Sequence, residues 1–155
     1  MQYKENIIEM DKKRIERQYL DAFIRLYSEF PKGRIISGES PDFVVKTRRW
    51  TIGIELTELI VQPSSGTSAK LIRDWQQSFM QELEKTVKKK EEKLRLYQRD
   101  NHLKYWLLIH FDLDISTLLR NLPATLNEKN LESGFDAIFL FCPKQQFCQQ
   151  LNPSV

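Results

Sequence analysis

Two acids in the stretch "ESPDFVVKTRRWTIGIELTEL", Glu39 to Leu59, carry the first chemical signal of this chain. Asp42 and Glu55 stand in apolar, β-branched runs, where a buried strand has no use for a carboxylate. "FVV" and "TIGIELTEL" alternate as strands do, and "KTRR" between them reads as a hairpin turn. Centring the turn between Arg48 and Arg49 pairs Asp42 with Glu55, Phe43 with Ile54, Val44 with Gly53 and Val45 with Ile52. Two-residue and four-residue loops give the same register. Phe43, Val45, Ile52, Ile54 and Leu56 then share one face, expected to be the core, and Asp42, Val44, Gly53, Glu55 and Thr57 share the other. The two acids become cross-strand neighbours, with Cβ atoms about 5 Å apart. Gly53 beside them leaves room for something to approach the backbone.

Like charges placed opposite each other repel, and a hard divalent cation such as Mg²⁺ or Mn²⁺ offsets them best. The plainer alternative is a pair of solvated acids on an exposed sheet face, with Lys46 or Arg48 nearby. Thr57, two residues past Glu55, can neither activate a water nor carry charge.

Around this hairpin the pattern is helical. From about Lys4 to Phe30, Ile8, Ile15, Tyr19, Phe23, Leu26 and Phe30 form an apolar stripe that Pro31 and Gly33 stop. "RIIS" after it is a possible short strand. A Pro/Gly/Ser loop at 62–68 precedes a second long helix, from about Ala69 to Asp100. "YWLLIHF" and "DAIFLF" read as buried strands, with short helical pieces at 116–122 and 124–131 between them, and the polar C-terminal residues read as frayed. The resulting class is α/β: a mixed central sheet with an N-terminal hairpin, flanked by helices, in a single domain over residues 1–155.

"SPDF", a short hairpin and "IGIELTEL", preceded by one helix and followed by another and by "WLLIHF", resemble the PD-(D/E)XK nuclease superfamily, the restriction-endonuclease-like fold. The likeness covers most of the chain in element order, and its diagnostic residues are Pro41-Asp42 and Glu55-Leu56-Thr57. It implies that Asp42, Glu55 and the carbonyl of Leu56 hold Mg²⁺ (or Mn²⁺) for phosphodiester hydrolysis of DNA. It also implies a lysine where Thr57 stands. Members of the superfamily sometimes supply that lysine from the following helix, whose stripe Met80, Leu83, Val87, Leu94 and Tyr97 has Lys90 in its gap, with Lys93 as second choice. Lys90 could equally lay its stem on apolar surface and send its ammonium to water. Glu16 on the first helix is the candidate for a further acid, or else a flank residue paired with Arg17 or Lys13. Glu39 lies within reach of a metal or its waters. Thr57 marks either a lysine moved elsewhere or a site that no longer cuts, a non-catalytic module binding nucleic acid or a protein partner.

Composition sets looser bounds. A chain of 155 residues with 41% hydrophobic and 29% charged content can bury a core. No apolar run is long enough for a membrane span, and no secretory leader is evident. Cys142 and Cys148 read as reduced thiols, so a cytoplasmic setting is expected. Net charge is +3, and the basic residues cluster. Lys46, Arg48 and Arg49 at the hairpin tip and Lys89 and Lys93 along the second helix could bind DNA phosphates, although Glu84, Glu91 and Glu92 interleave the helical ones. Selection of a sequence would need a homodimer or a partner protein. His110, near Asp112 and Asp114, reads as structural. Trp50, Trp75 and Trp106 read as core and edge residues rather than stacking platforms.

Overall fold

A computed structural model describes residues 2–62, 68–97, 103–114 and 133–151, with 119, 122, 124, 126 and 131, and the side chains of the first helix from residue 11 onward. Helix α1 (Gln2–Leu26) leads into strands β1 (Arg34–Ser37), β2 (Phe43–Lys46) and β3 (Thr51–Glu58). Helix α2 (Ala69–Tyr97) follows, then β4 (Leu103–His110), β5 (Ala137–Cys142) and β6 (Phe147–Gln150). The protein is α/β, with one six-stranded mixed sheet in the order β1-β2-β3-β4-β5-β6 between the two helices. β1, β2 and β3 form an antiparallel meander, β3, β4 and β5 run parallel, and β6 returns antiparallel to β5.

The hairpin register is the expected one, Phe43 with Ile54, Val44 with Gly53, Val45 with Ile52 and Lys46 with Thr51. A four-residue loop makes the turn. The Thr47 hydroxyl accepts the Trp50 amide at 2.9 Å, and the Thr47 amide donates to the Trp50 carbonyl at 2.9 Å. The face bearing Phe43, Val45, Ile52, Ile54 and Leu56 packs against Leu20 and Phe23 of α1, and Phe139 and Phe141 of β5 close that core. Phe23 meets these two rings at centroid distances of 5.0 and 5.3 Å.

The opposite face is covered as well. Trp75, Phe79, Leu83, Val87 and Leu94 recur along α2 at intervals that keep one face inward, and they pack on Tyr105, Leu107, Ile109, Ile138 and Leu140. Ser68 caps α2, its hydroxyl accepting the Leu71 amide at 3.2 Å. Parallel strands joined by a helical crossover are buried on both sides, so β5 is buried at every position. The acids therefore do not lie on an exposed sheet face: Asp42 is 9% and Glu55 5% exposed.

Several expectations are corrected. The first helix ends at Leu26 rather than near Phe30, and its Ile15 is 52% exposed despite fitting the stripe. Leu20 takes the inward position. The polar C-terminal residues are not all frayed: Phe147–Gln150 pair with β5, because pairing depends on backbone groups that composition hides. Trp50 is half exposed at the hairpin tip, with the Lys104 ammonium 3.8 Å from its ring centroid. The second helix is described to Tyr97, and the short helical pieces at 116–122 and 124–131 lie largely outside the described residues. From those stretches Leu119, Leu122, Leu126 and Leu131 pack into the α2-side core.

The space at Gly53 is filled from within the protein. A Cβ there would lie 3.0 Å from Cγ of Pro41 and 3.1 Å from the Tyr105 ring, so the glycine seats the proline next to Asp42. Gly53→Ala is expected to cost about 1–3 kcal/mol of stability by overpacking. Urea denaturation of the variant checks this.

Candidate functional site

Glu55 sits on the α2 side of β3, and the fold brings two lysines to it. Lys90 Nζ donates to Glu55 Oε1 at 3.2 Å and Lys93 Nζ donates to the same oxygen at 2.7 Å. Lys90 occupies the α2 position where spacing from Val87 and Leu94 calls for a core residue, which is why it points at the sheet. Its side chain is more enclosed than that of Lys93. Lys93, expected to contact phosphates or to serve as the second-choice lysine, makes the shorter bond.

Asp42 lies just ahead of β2, opposite Glu55 if the ladder is continued by one pair. Its Oδ2 accepts the Leu56 amide at 2.8 Å. A residue's N–H and C=O point to the same side of a strand, so the Leu56 carbonyl also faces the Asp42 side, past the last rung of β2. Burial pushes the Asp42 carboxyl above its usual range, and Glu55 and Glu16 add to the rise. The Leu56 amide and Lys13 pull it back.

Glu16 reaches the same place from α1. Its Oε2 is 3.0 Å from Lys13 Nζ, which is 4.0 Å from Asp42 Oδ1 and donates to the Gly38 carbonyl. The Glu16–Lys13 contact lacks hydrogen-bond alignment, since Glu16 Oε2 is buried with no such partner among the described residues. Glu55 Oε2 is likewise buried and unpartnered among them. Arg17, the other expected partner of Glu16, pairs with Asp21 instead. Three carboxylates, Glu16, Asp42 and Glu55, thus face four ammonium groups, Lys12, Lys13, Lys90 and Lys93, with Lys12 Nζ 4.0 Å from Glu16 Oε1.

No known protein family, curated protein or solved structure matches the chain. What the site can do therefore rests on its own chemistry. Among the described residues no three His, Cys, Asp or Glu side chains are grouped closely enough to hold an ion by themselves. The chemistry of the donors suits a hard cation on other grounds. Asp42 and Glu55 offer carboxylate oxygens, the Leu56 carbonyl faces Asp42, and the buried orphan oxygen of Glu55 is the kind of group that an ion satisfies.

Other expected site residues lie elsewhere. Thr57 is partly exposed, just past the acid pair. Lys46, Arg48 and Arg49 are exposed at the hairpin tip, whose neighbour Trp50 is about 17 Å from Glu55 along β3. Lys89 is exposed on α2 and Glu39 in the turn before Pro41. Lys13 was missed as a site residue. Its signal was the i,i+3 spacing to Glu16, but nothing in sequence placed that helix face beside Asp42.

His110 is buried at the end of β4, its ring stacked on Tyr19 of α1 at 3.6 Å. Asp112 and Asp114, its neighbours in sequence, instead hold Lys144. Burial lowers the His110 pKa from 6.5 to about 4. The unfolded chain then binds the extra proton between those values. The stabilising contribution is full above pH 6.5 and is lost as the pH falls towards 4, at up to about 1.4 kcal/mol per pH unit. Urea denaturation between pH 7 and 4 is expected to show that loss, reduced in His110→Phe.

Removing Lys90 leaves a buried carboxylate with one cation fewer. Lys90→Met is expected to cost about 1–3 kcal/mol, and at least about 1 kcal/mol less in a Glu55→Gln background. A double-mutant cycle by urea denaturation measures the coupling.

Proposed function

We propose that this protein is a metal-dependent nuclease of restriction-endonuclease-like fold that hydrolyses phosphodiester bonds of DNA. One observation carries the reading: α2 delivers Lys90 and Lys93 to Glu55, a source for the lysine that the Thr57 position lacks. A divalent ion, Mg²⁺ or Mn²⁺, held by Asp42, Glu55 and the Leu56 carbonyl would supply Lewis-acid polarisation of the phosphate and a more acidic water.

The chain's own groups do the rest. Hydrolysis forms a bond from a water oxygen to phosphorus as the bond to the leaving sugar oxygen breaks, and that oxygen takes a proton. Negative charge grows on the phosphoryl oxygens as this happens. Lys90 and Lys93, fixed by the packed stripe of α2, place positive charge at that point before the reaction begins. Lys13, itself paired with Glu16, holds Asp42 from the α1 side. Lys46, Arg48 and Arg49, at the far end of the hairpin, contact backbone phosphates further along the strand without reading bases.

A second reading has its own support. Lysines already pair with each of the three acids, and Thr57 cannot activate water, which suits a non-catalytic module binding nucleic acid or a protein partner. Nicking of supercoiled plasmid and cleavage of single-stranded DNA with Mg²⁺ or Mn²⁺ separate the two. The nuclease reading expects cleavage that Glu55→Gln abolishes and that Lys90→Met slows about 100-fold. Cleavage surviving Glu55→Gln would remove Glu55 from the mechanism. Absence of both cleavage and Mn²⁺ binding by calorimetry favours the module.

A further inference from the structure

A cleft of about 600 Å³ opens on the α1 side, directly beside the acid cluster. It shares Glu16 and Leu56 with that cluster, and its wall continues through Thr57 and Glu58 to His110. The size is that of a small-molecule site rather than a packing defect. Its chemistry is unusual for a surface hollow. Tyr19 presents an aromatic ring with one face already stacked on His110, and Ile15, exposed to solvent, forms an apolar lip. The imidazole is neutral at physiological pH, so one ring nitrogen donates and the other accepts.

Carboxylates outnumber cations among the described residues at the rim. Asp11, Glu16 and Glu58 contribute carboxylates, of which Glu16 is already paired with Lys12 and Lys13, and among the described residues Lys12 is the one lysine or arginine lining the cleft. An anionic group is therefore kept off the floor, while a flat apolar ring with N–H donors on its edge suits it. Nucleobases have this form, and the donor count ranks them. Guanine offers its ring N–H and an exocyclic amino group side by side to a carboxylate, whereas thymine offers a single ring N–H. Stacking on Tyr19 adds affinity for any base.

We infer that the cleft holds one unstacked nucleobase, guanine best, of the nucleotide whose phosphate lies at the Asp42–Glu55 site. This assignment rests on the nuclease reading for the neighbouring phosphate, although the base site can be tested without cleavage. It makes the preferred substrate a single strand or an unpaired end, because a base inside a duplex cannot enter the cleft.

The test uses 5′-labelled pentanucleotides dTTGTT and dTTTTT in fluorescence anisotropy, with the 155-residue chain in EDTA. The expected result is at least about tenfold tighter binding of dTTGTT, a difference of about 1.4 kcal/mol. Ile15→Glu, at an exposed position, adds charge to the lip and is expected to remove the difference while the thermal unfolding midpoint stays unchanged. Addition of dTTGTT should also shift the His110 ring resonances in NMR spectra. Equal affinity for the two pentamers overturns the inference, as does a preference that persists in Ile15→Glu. Mg²⁺-dependent cleavage without base preference leaves the nuclease reading standing and removes the base site. A guanine preference sensitive to Ile15→Glu, in a protein that never cleaves, does the reverse.

Discussion

The ion pairing of Glu55 with Lys90 and Lys93 is the interaction on which the site depends. A carboxylate under a helix, in the middle of a sheet face, is costly unless positive charge meets it in hydrogen-bonding geometry. That charge comes from α2, and α2 can deliver it only because Trp75, Phe79, Leu83 and Val87 fasten the helix to the strands. The apolar packing and the polar centre are thus one design. The stripe sets the azimuth of the helix, and that azimuth points the lysine.

The α1 side works by different means. Asp42 lies outside the regular ladder, held by the Leu56 amide and by a proline that rests on Gly53. Lys13 ties it to Glu16 and to the Gly38 carbonyl, so the turn before β2 and the helix are locked together around one carboxylate. The result is a polar seam between two apolar cores, with two carboxylate oxygens left without hydrogen bonds among the described residues. Such a seam has a reason to exist if it receives a cation or a phosphate. The adjoining cleft, with Tyr19 and His110, gives the same region an apolar receptacle.

Much of the fold was legible because periodicity records burial. The β2–β3 register followed from alternation and turn position, and Lys90 was visible as a polar residue interrupting an apolar stripe. Features defined by backbone pairing were less legible: β6 has the polar ending "QQ", and its place in the sheet comes from hydrogen bonds to β5. Trp50 reads as a core or edge residue by type alone, yet it stands half exposed at the hairpin tip, with the Lys104 ammonium 3.8 Å from its ring centroid.

By itself the sequence determined the β2–β3 register, the strands β2 to β5, the two long helices and the presence of a threonine rather than a lysine at position 57. These follow from local alternation and spacing, which act over a few residues. Only the tertiary structure decided that the Glu55 face is covered, that Lys93 joins Lys90 there, and that Lys13 reaches Asp42. Those contacts join residues dozens of positions apart, and their geometry depends on how two helices cross one twisted sheet. Long flexible lysines make the point well, since their destinations are set by the packing of their stems and helices rather than by their neighbours in sequence.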